Sequence, residues 1–187
     1  MYRNTAITAL IAIGLVVAGC GGGGGNGGDE PDVYTIYGEN AEVTQGGTTT
    51  VSIYLAKPPA TPAGYQMTIN YDDNKLQLVG GLGAVQAGAA VPASPNHIIA
   101  KNVSTAGVVG VVQVTVVGWN GSEIVNLSTT NNEILNIQFQ AIGTAGTTTI
   151  DIDTTTGAPT PLALWTSGAS QIAPPVAVID GTVTINP

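Results

Sequence analysis

Side chains able to do covalent or proton-transfer chemistry are scarce in this 187-residue chain, which has one Cys (Cys20) and one His (His97). That inventory cannot build a Cys/His nucleophile pair, a disulfide framework or a Cys/His zinc cluster. His97 sits in Pro95-Asn96-His97-Ile98. A general base would need a nucleophile and an orienting group, and none is identifiable, so His97 reads as a surface histidine that opens a strand. Asp72-Asp73-Asn74 offers oxygen ligands of the kind Ca²⁺ takes. No calcium-loop spacing follows, and a turn accounts for the three residues. Asp72 and Asp73 are therefore only a weak Ca²⁺ candidate, and no other cofactor or metal is expected. Asp151 and Asp153 stand two apart. Paired carboxylates can do acid–base work, but on a strand this spacing puts both on one outward, solvated face. No catalytic residue is assigned, and the chain reads as a non-catalytic binding or structural module.

Recognition is the chemistry left, and it falls to the aromatics. Trp119 and Trp165 could stack on sugar rings or anchor a protein partner if exposed; the alternative is that each plugs an end of the core. Tyr34, Tyr37 and Tyr54 would join such a patch if they share a face. Acidic residues number 12 against 4 basic ones, a formal net charge of −8, and every acid lies after residue 28. A nucleic-acid surface needs clustered Lys and Arg, so that partner class is excluded.

These side chains must be carried by something, and the chain divides into three parts. Residues 1–19 carry Arg3 and then an uncharged stretch of Ala, Ile, Leu and Val from Thr5 to Gly19. Its length suits a signal peptide better than a membrane span of about 20 residues. It closes on Leu15-Val16-Val17-Ala18-Gly19-Cys20, which resembles the bacterial lipobox. The resemblance implies cleavage before Cys20 and acylation there, and two or more chains give stable anchoring where one does not. Residues 20–32, with the run Gly21 to Gly28 broken only by Asn26, read as a flexible tether. Gly21 after the Cys lacks the Asp of the enterobacterial inner-membrane sorting pattern. The expectation is an exported protein, lipid-anchored at an outer membrane or the cell surface.

Residues 33–187 read as a single all-β sandwich. Thr and Val are abundant and helix formers sparse. Period-two alternation marks Thr50 to Leu55, Tyr65 to Tyr71, Leu135 to Ala141 and Thr147 to Asp153, and Gly181 to Ile185 forms a last strand. Val108 to Val117 is almost continuously apolar, which suits a central strand covered on both sides, with Gly110 as a bulge. Gly80 to Asn96 and Thr154 to Pro175 read as loops, the second holding a short strand over Leu162 to Trp165.

Five of these segments, in order, resemble the cohesin domain. Gly64-Tyr65-Gln66-Met67-Thr68-Ile69-Asn70-Tyr71-Asp72, followed by Asn74-Lys75-Leu76-Gln77-Leu78-Val79, is similar to that family's strand ending in Tyr-Asp. Gly47 to Ile53, Ile134 to Phe139, Ala145 to Ile150 and Asp180 to Ile185 match further strands of the pattern. Asn131-Asn132-Glu133 departs from it, where the family often has Gly. The resemblance implies a jelly-roll sandwich of about nine strands, shared with cellulose-binding-type carbohydrate-binding modules. It implies a protein partner with a dockerin-like module; polysaccharide binding through Trp119 or Trp165, or a structural role in an envelope assembly, is the alternative.

Overall fold

The computed structural model describes residues 34–56, 60–128, 130–155, 160–172 and 177–187. The signal-peptide and tether assignments, and Cys20 with them, lie outside the described residues. The chain opens with β1 (Thr35–Gly38) and β2 (Ala41–Thr44), then the long strands β3 (Thr48–Ala56) and β4 (Gly64–Asp72). A turn leads to β5 (Leu76–Leu78), and a 3-10 turn over Gly81–Ala84 leads to β6 (Val85–Ala87). The hairpin of β7 (His97–Ala106) and β8 (Val109–Gly118) follows, then β9 (Glu133–Ala141) and β10 (Gly146–Ile152). Short strands β11 (Ala163–Trp165), β12 (Gln171–Ile172) and β13 (Ala177–Ile179) precede the closing β14 (Gly181–Asn186).

These strands form two sheets packed as a jelly-roll sandwich. The back sheet runs β13-β1-β3-β9, with β5 and β6 in line along the far edge of β9. The front sheet runs β7-β8-β4-β10-β14-β2, with β11 and β12 continuing beside the first half of β4. Four strands of the expected nine-strand pattern are thus interrupted: β1 and β2, β5 and β6, β10 and β11, and β13 and β14 are pairs of pieces. The two terminal pieces change sheet side by side, and the corner depends on glycine. A Cβ on Gly38 would lie 2.6 Å from the Gly181 nitrogen, and one on Gly181 would lie 2.6 Å from the Glu39 carbonyl oxygen.

Alternation builds the core, since successive side chains point to opposite faces. Val51, Ile53 and Leu55 of β3 meet Tyr65, Met67, Ile69 and Tyr71 of β4, Ile137 and Phe139 of β9, and Ile150 and Ile152 of β10, all buried. The Tyr65 hydroxyl donates to the Ile134 carbonyl and so ties the two sheets together inside the core. Tyr71 stands edge-on to Phe139, with ring centroids 5.0 Å apart, and closes one end. Asp72 Oδ1 accepts from the Asn74 amide at 3.0 Å, and Leu76 re-enters the core behind that turn.

Three expectations need correction. The core covers only one side of the run Val108 to Val117: Gly110, Val112, Val114 and Val116 face it, while Val109, Val111 and Val117 face out, and among the described residues no second sheet packs on that side. Gly110 makes no bulge, because β8 keeps unbroken register with β4 and β7 on its two sides. Its hydrogen side makes room for the Tyr71 ring, since a Cβ there would lie 2.0 Å from Tyr71 Cζ. Gly80 to Asn96 is not wholly loop, because Val85, Gln86 and Ala87 pair with β9.

Candidate recognition face

The outward face of the front sheet brings together Asp72, Asp151 and Trp165 from among the residues singled out in the sequence. Register places the outer side chains in rows across β7, β8 and β4: Ile98 and Val117 beside Gly64, Ala100 and Thr115 beside Gln66, Asn102 and Gln113 beside Thr68. Ser104, Val111 and Asn70 make the next row, extended by Asp151 of β10. Val109 and Asp72 end the face. Ile98 is 54% exposed and Val109 39%. They stand at opposite ends of the face, Ile98 in the row of Val117 and Val109 in the row of Asp72, with the polar rows of Gln66, Thr68 and Asn70 between them.

At one end Trp165 lines a pocket of about 270 Å³ with Ala63, Gly64, Val117, Ile124, Thr166 and Ala169. The β11–β12 turn forms one wall: the Thr166 amide donates to the Ser170 carbonyl at 3.0 Å, and Ala169 holds a φ of 59°. Trp119 is half-buried just past β8, where it bridges to Ile124, itself a pocket residue. Both tryptophans therefore belong to the same end of the fold, though only Trp165 lines the pocket. Neither stands free as a flat stacking platform.

A strap crosses the middle of the face. Gln66 Nε2 donates to the Pro161 carbonyl at 2.9 Å and Thr68 Oγ1 to the Thr160 carbonyl at 3.0 Å. This cover leaves Thr68 only 1% exposed although it points outward. At the far end, Asp72 and Asp151 share a hollow of about 380 Å³ with Asn70, Thr149, Val108 and Val109. Asn70 Nδ2 donates to Asp151 Oδ2 at 2.9 Å and, more weakly, to Asp153 Oδ2 at 3.4 Å. Asp153 Oδ1 also accepts from the Thr155 amide and hydroxyl, and these bonds hold its carboxyl below the ordinary aspartate range.

The remaining candidates sit elsewhere. Asp73 lines a different hollow from Asp72, with Tyr71, Gln77 and Val103, so the two carboxylates do not converge. Among the described residues no group of three or more His, Cys, Asp and Glu could hold a metal ion. His97 opens β7, with its Nδ1 2.7 Å from the Pro92 carbonyl oxygen. Tyr37 and Tyr54 stack at 5.0 Å on the back sheet, away from the tryptophans, and Tyr34 is buried, with its hydroxyl pushed up to about 12 by desolvation. Ile98, Val109 and Ile124 were not singled out from sequence; the outward valines of β8 were the signal, read there as a second buried face.

A family model described as the cohesin domain matches residues 35–185. No curated protein matches the chain. Among solved structures, the sixth cohesin of scaffoldin B from Acetivibrio cellulolyticus, in complex with a dockerin, is similar at a TM-score of 0.62 and 16% identity, covering 82% of this chain and 99% of that one. The OlpA cohesin of Clostridium thermocellum, also solved with a dockerin, gives a TM-score of 0.64 at 16% identity, covering 83% of this chain and 100% of the other. A non-cellulosomal cohesin from the archaeon Archaeoglobus fulgidus gives 0.58 at 16% identity, covering 83% and 92%. The match runs from the first described strand to the last, so the chain belongs to the cohesin family, a family of non-catalytic protein-binding domains.

Proposed function

We propose that this protein is a membrane-anchored cohesin receptor that holds a dockerin-like partner on the outer face of its front sheet. One observation carries the choice of face. The outward side of β8 carries Val109, Val111 and Val117 alongside Gln113 and Thr115, and with Val109 39% exposed and Val111 and Val117 half-buried it offers apolar surface to a partner. Burying apolar surface drives association as it drives folding. The outward side of the back sheet holds Thr50, Asn136 and Gln138, with Ser52 buried and bonded to Asn136, beside the stacked Tyr37 and Tyr54. In this reading, lipid on Cys20 fixes the position, residues 20–32 give reach, and the domain 33–187 presents a preformed face. Tethering raises the effective concentration of the receptor at an outer membrane or cell surface without any new contact.

The test is capture of extracellular and envelope proteins of the source organism on the immobilised domain, with calcium and with chelator. The reading expects a calcium-dependent partner carrying a dockerin-like repeat, lost when Val111 is replaced by Lys. Retention on a polysaccharide column without any protein partner would move the function to glycan binding. Recovery only within a stable envelope complex would move it to a structural role. The anchor is tested separately: labelled palmitate should enter the wild-type protein and not Cys20→Ala.

A further inference from the structure

β7 is the long open edge of the front sheet. It pairs with β8 along its whole length, His97–Ala106, in unbroken register, and among the described residues no strand pairs with its other side. The Trp119 amide donates to the Asn96 carbonyl at 2.9 Å, which fixes the parity of the ladder. Even-numbered residues of β7 turn their backbone groups toward β8, and His97, Ile99, Lys101, Val103 and Thr105 turn theirs away. Among the described residues no backbone bond reaches the N–H and C=O groups of those odd-numbered positions.

Folds usually protect such an edge by keeping it short or by placing a proline, a bulge or an outlying charge on it. The other edge strands, β2, β5, β6, β12 and β13, are only two to four residues long. β7 is ten residues long and has neither proline nor bulge. Its one lysine, Lys101, is half-buried and donates to the Val85 carbonyl at 2.7 Å, so its charge is turned inward rather than held along the edge. Ile98, Ile99, Val103 and Thr105 are β-branched and suit a paired strand.

A row of alternating donors and acceptors is satisfied by another extended strand, and this row fits itself. Two copies laid antiparallel about a two-fold axis at Asn102 set Ile99 opposite Thr105 and Lys101 opposite Val103, each pair exchanging two backbone bonds. No like charges then face each other, whereas an axis at Lys101 would oppose two lysines. We infer that β7 pairs with β7 of a second copy in the Asn102 register, joining the two front sheets into one. The interface is isologous and closes at two copies. Its axis stands perpendicular to the sheet, so both outer faces point the same way. This pairing does not depend on what those faces bind.

The test uses the full chain in detergent. With Cys20→Ala the chain has no thiol, so a single introduced cysteine can be followed alone. Asn102 and Ser104 are both exposed on the outer face of β7. At the axis, Asn102→Cys meets its counterpart with Cα atoms about 4.5 Å apart, within disulfide reach. Ser104→Cys faces Ala100 and stands about 14 Å from its counterpart. Mild oxidation should cross-link the first at least about tenfold faster than the second. Sedimentation equilibrium of the chain without an added cysteine should show a monomer–dimer equilibrium. Asn102→Lys and Asn102→Glu should each weaken it about fivefold at low salt, and an equimolar mixture of the two should restore it. Thr105→Pro removes an outward donor, leaves the bonds to β8 in place, and should weaken it about tenfold.

A chain that stays monomeric at about millimolar concentration, or cross-linking at equal rates from both positions, would overturn the inference. A dimer indifferent to Thr105→Pro and to both charged variants would place self-association on another surface and overturn it as well. Charged variants that each weaken the dimer but fail to restore it when mixed would remove the Asn102 register, and the inference with it.

Discussion

Replacing Gly110 by Ala sets one methyl against one ring. The added Cβ would lie 2.0 Å from Tyr71 Cζ and 2.4 and 2.5 Å from two neighbouring ring carbons. Carbon atoms settle near 3.5–4.0 Å, so the ring must retreat by about 1.5 Å. Tyr71 is 5% exposed and stands edge-on to Phe139, so that retreat disrupts the packing at this end of the core. Overpacking of this kind costs about 3 kcal/mol, and with a urea slope of about 2 kcal/mol/M the unfolding midpoint should fall by about 1.5 M. Tyr71→Ala alone should cost about 3 kcal/mol through the cavity it leaves. Once the ring is gone Gly110→Ala should be almost free, giving a coupling of about 3 kcal/mol in the double-mutant cycle. Urea unfolding followed by circular dichroism measures all four variants. A Gly110→Ala cost below about 1 kcal/mol, or additive costs within about 0.5 kcal/mol, would refute the packing role.

Other expectations follow from single contacts. Tyr65→Phe removes the hydroxyl that bonds the Ile134 carbonyl inside the core and should cost about 1–3 kcal/mol by thermal or urea melting, with the fold retained. Ala169→Gly relieves a left-handed alanine and should leave stability unchanged or raise it by up to about 1 kcal/mol, while weakening any occupant of the Trp165 pocket; loss of stability would show that the methyl is there for the fold. Asp153 is held below the ordinary value of 3.8, so its contribution is complete above that pH and fades as pH falls through the lowered value; Asp153→Asn should flatten the acid limb of the stability–pH curve. Burial raises the pKa values of Tyr34, Tyr65 and Tyr71 by disfavouring the charged phenolate. Their contribution is intact below the ordinary tyrosine value of 10.0 and is lost as pH rises past it, so phenolate absorbance for these three should appear late, together with alkaline unfolding.

The sandwich was legible because period-two alternation reports which side of each strand is buried. Tyr65, Met67, Ile69 and Tyr71 point inward as their spacing requires, and so do Ile150 and Ile152. The turn after Tyr71 was legible for a local reason, since Asp72 bonds the backbone two residues on. The face was harder. Val108 to Val117 shows apolar residues on both sides of one strand, and a second protein layer and a missing partner give the same pattern. Only the sheet order, with β7 and β4 flanking β8 and, among the described residues, no second sheet on its outer side, separates the two. Gly110 misled for a similar reason, because a glycine that yields space to a ring 39 residues away in the chain looks like one that bends its own strand. The Thr160–Pro161 strap, held by Gln66 and Thr68, depends on contacts more than 90 residues apart and leaves no local signature.

The account turns on which side of the sandwich receives the partner, and titration calorimetry with a calcium-loaded dockerin module of the source organism tests that directly. Two single-lysine variants bracket the question: Val111→Lys on the front sheet and Thr50→Lys on the outward side of the back sheet. Both positions are outside the core, so both proteins should melt within about 0.5 kcal/mol of wild type. The account predicts one-to-one binding by the wild type and by Thr50→Lys, and a loss of at least about a hundredfold in Val111→Lys, where a charge is buried against the partner. Undiminished binding by Val111→Lys, or loss confined to Thr50→Lys, would contradict it.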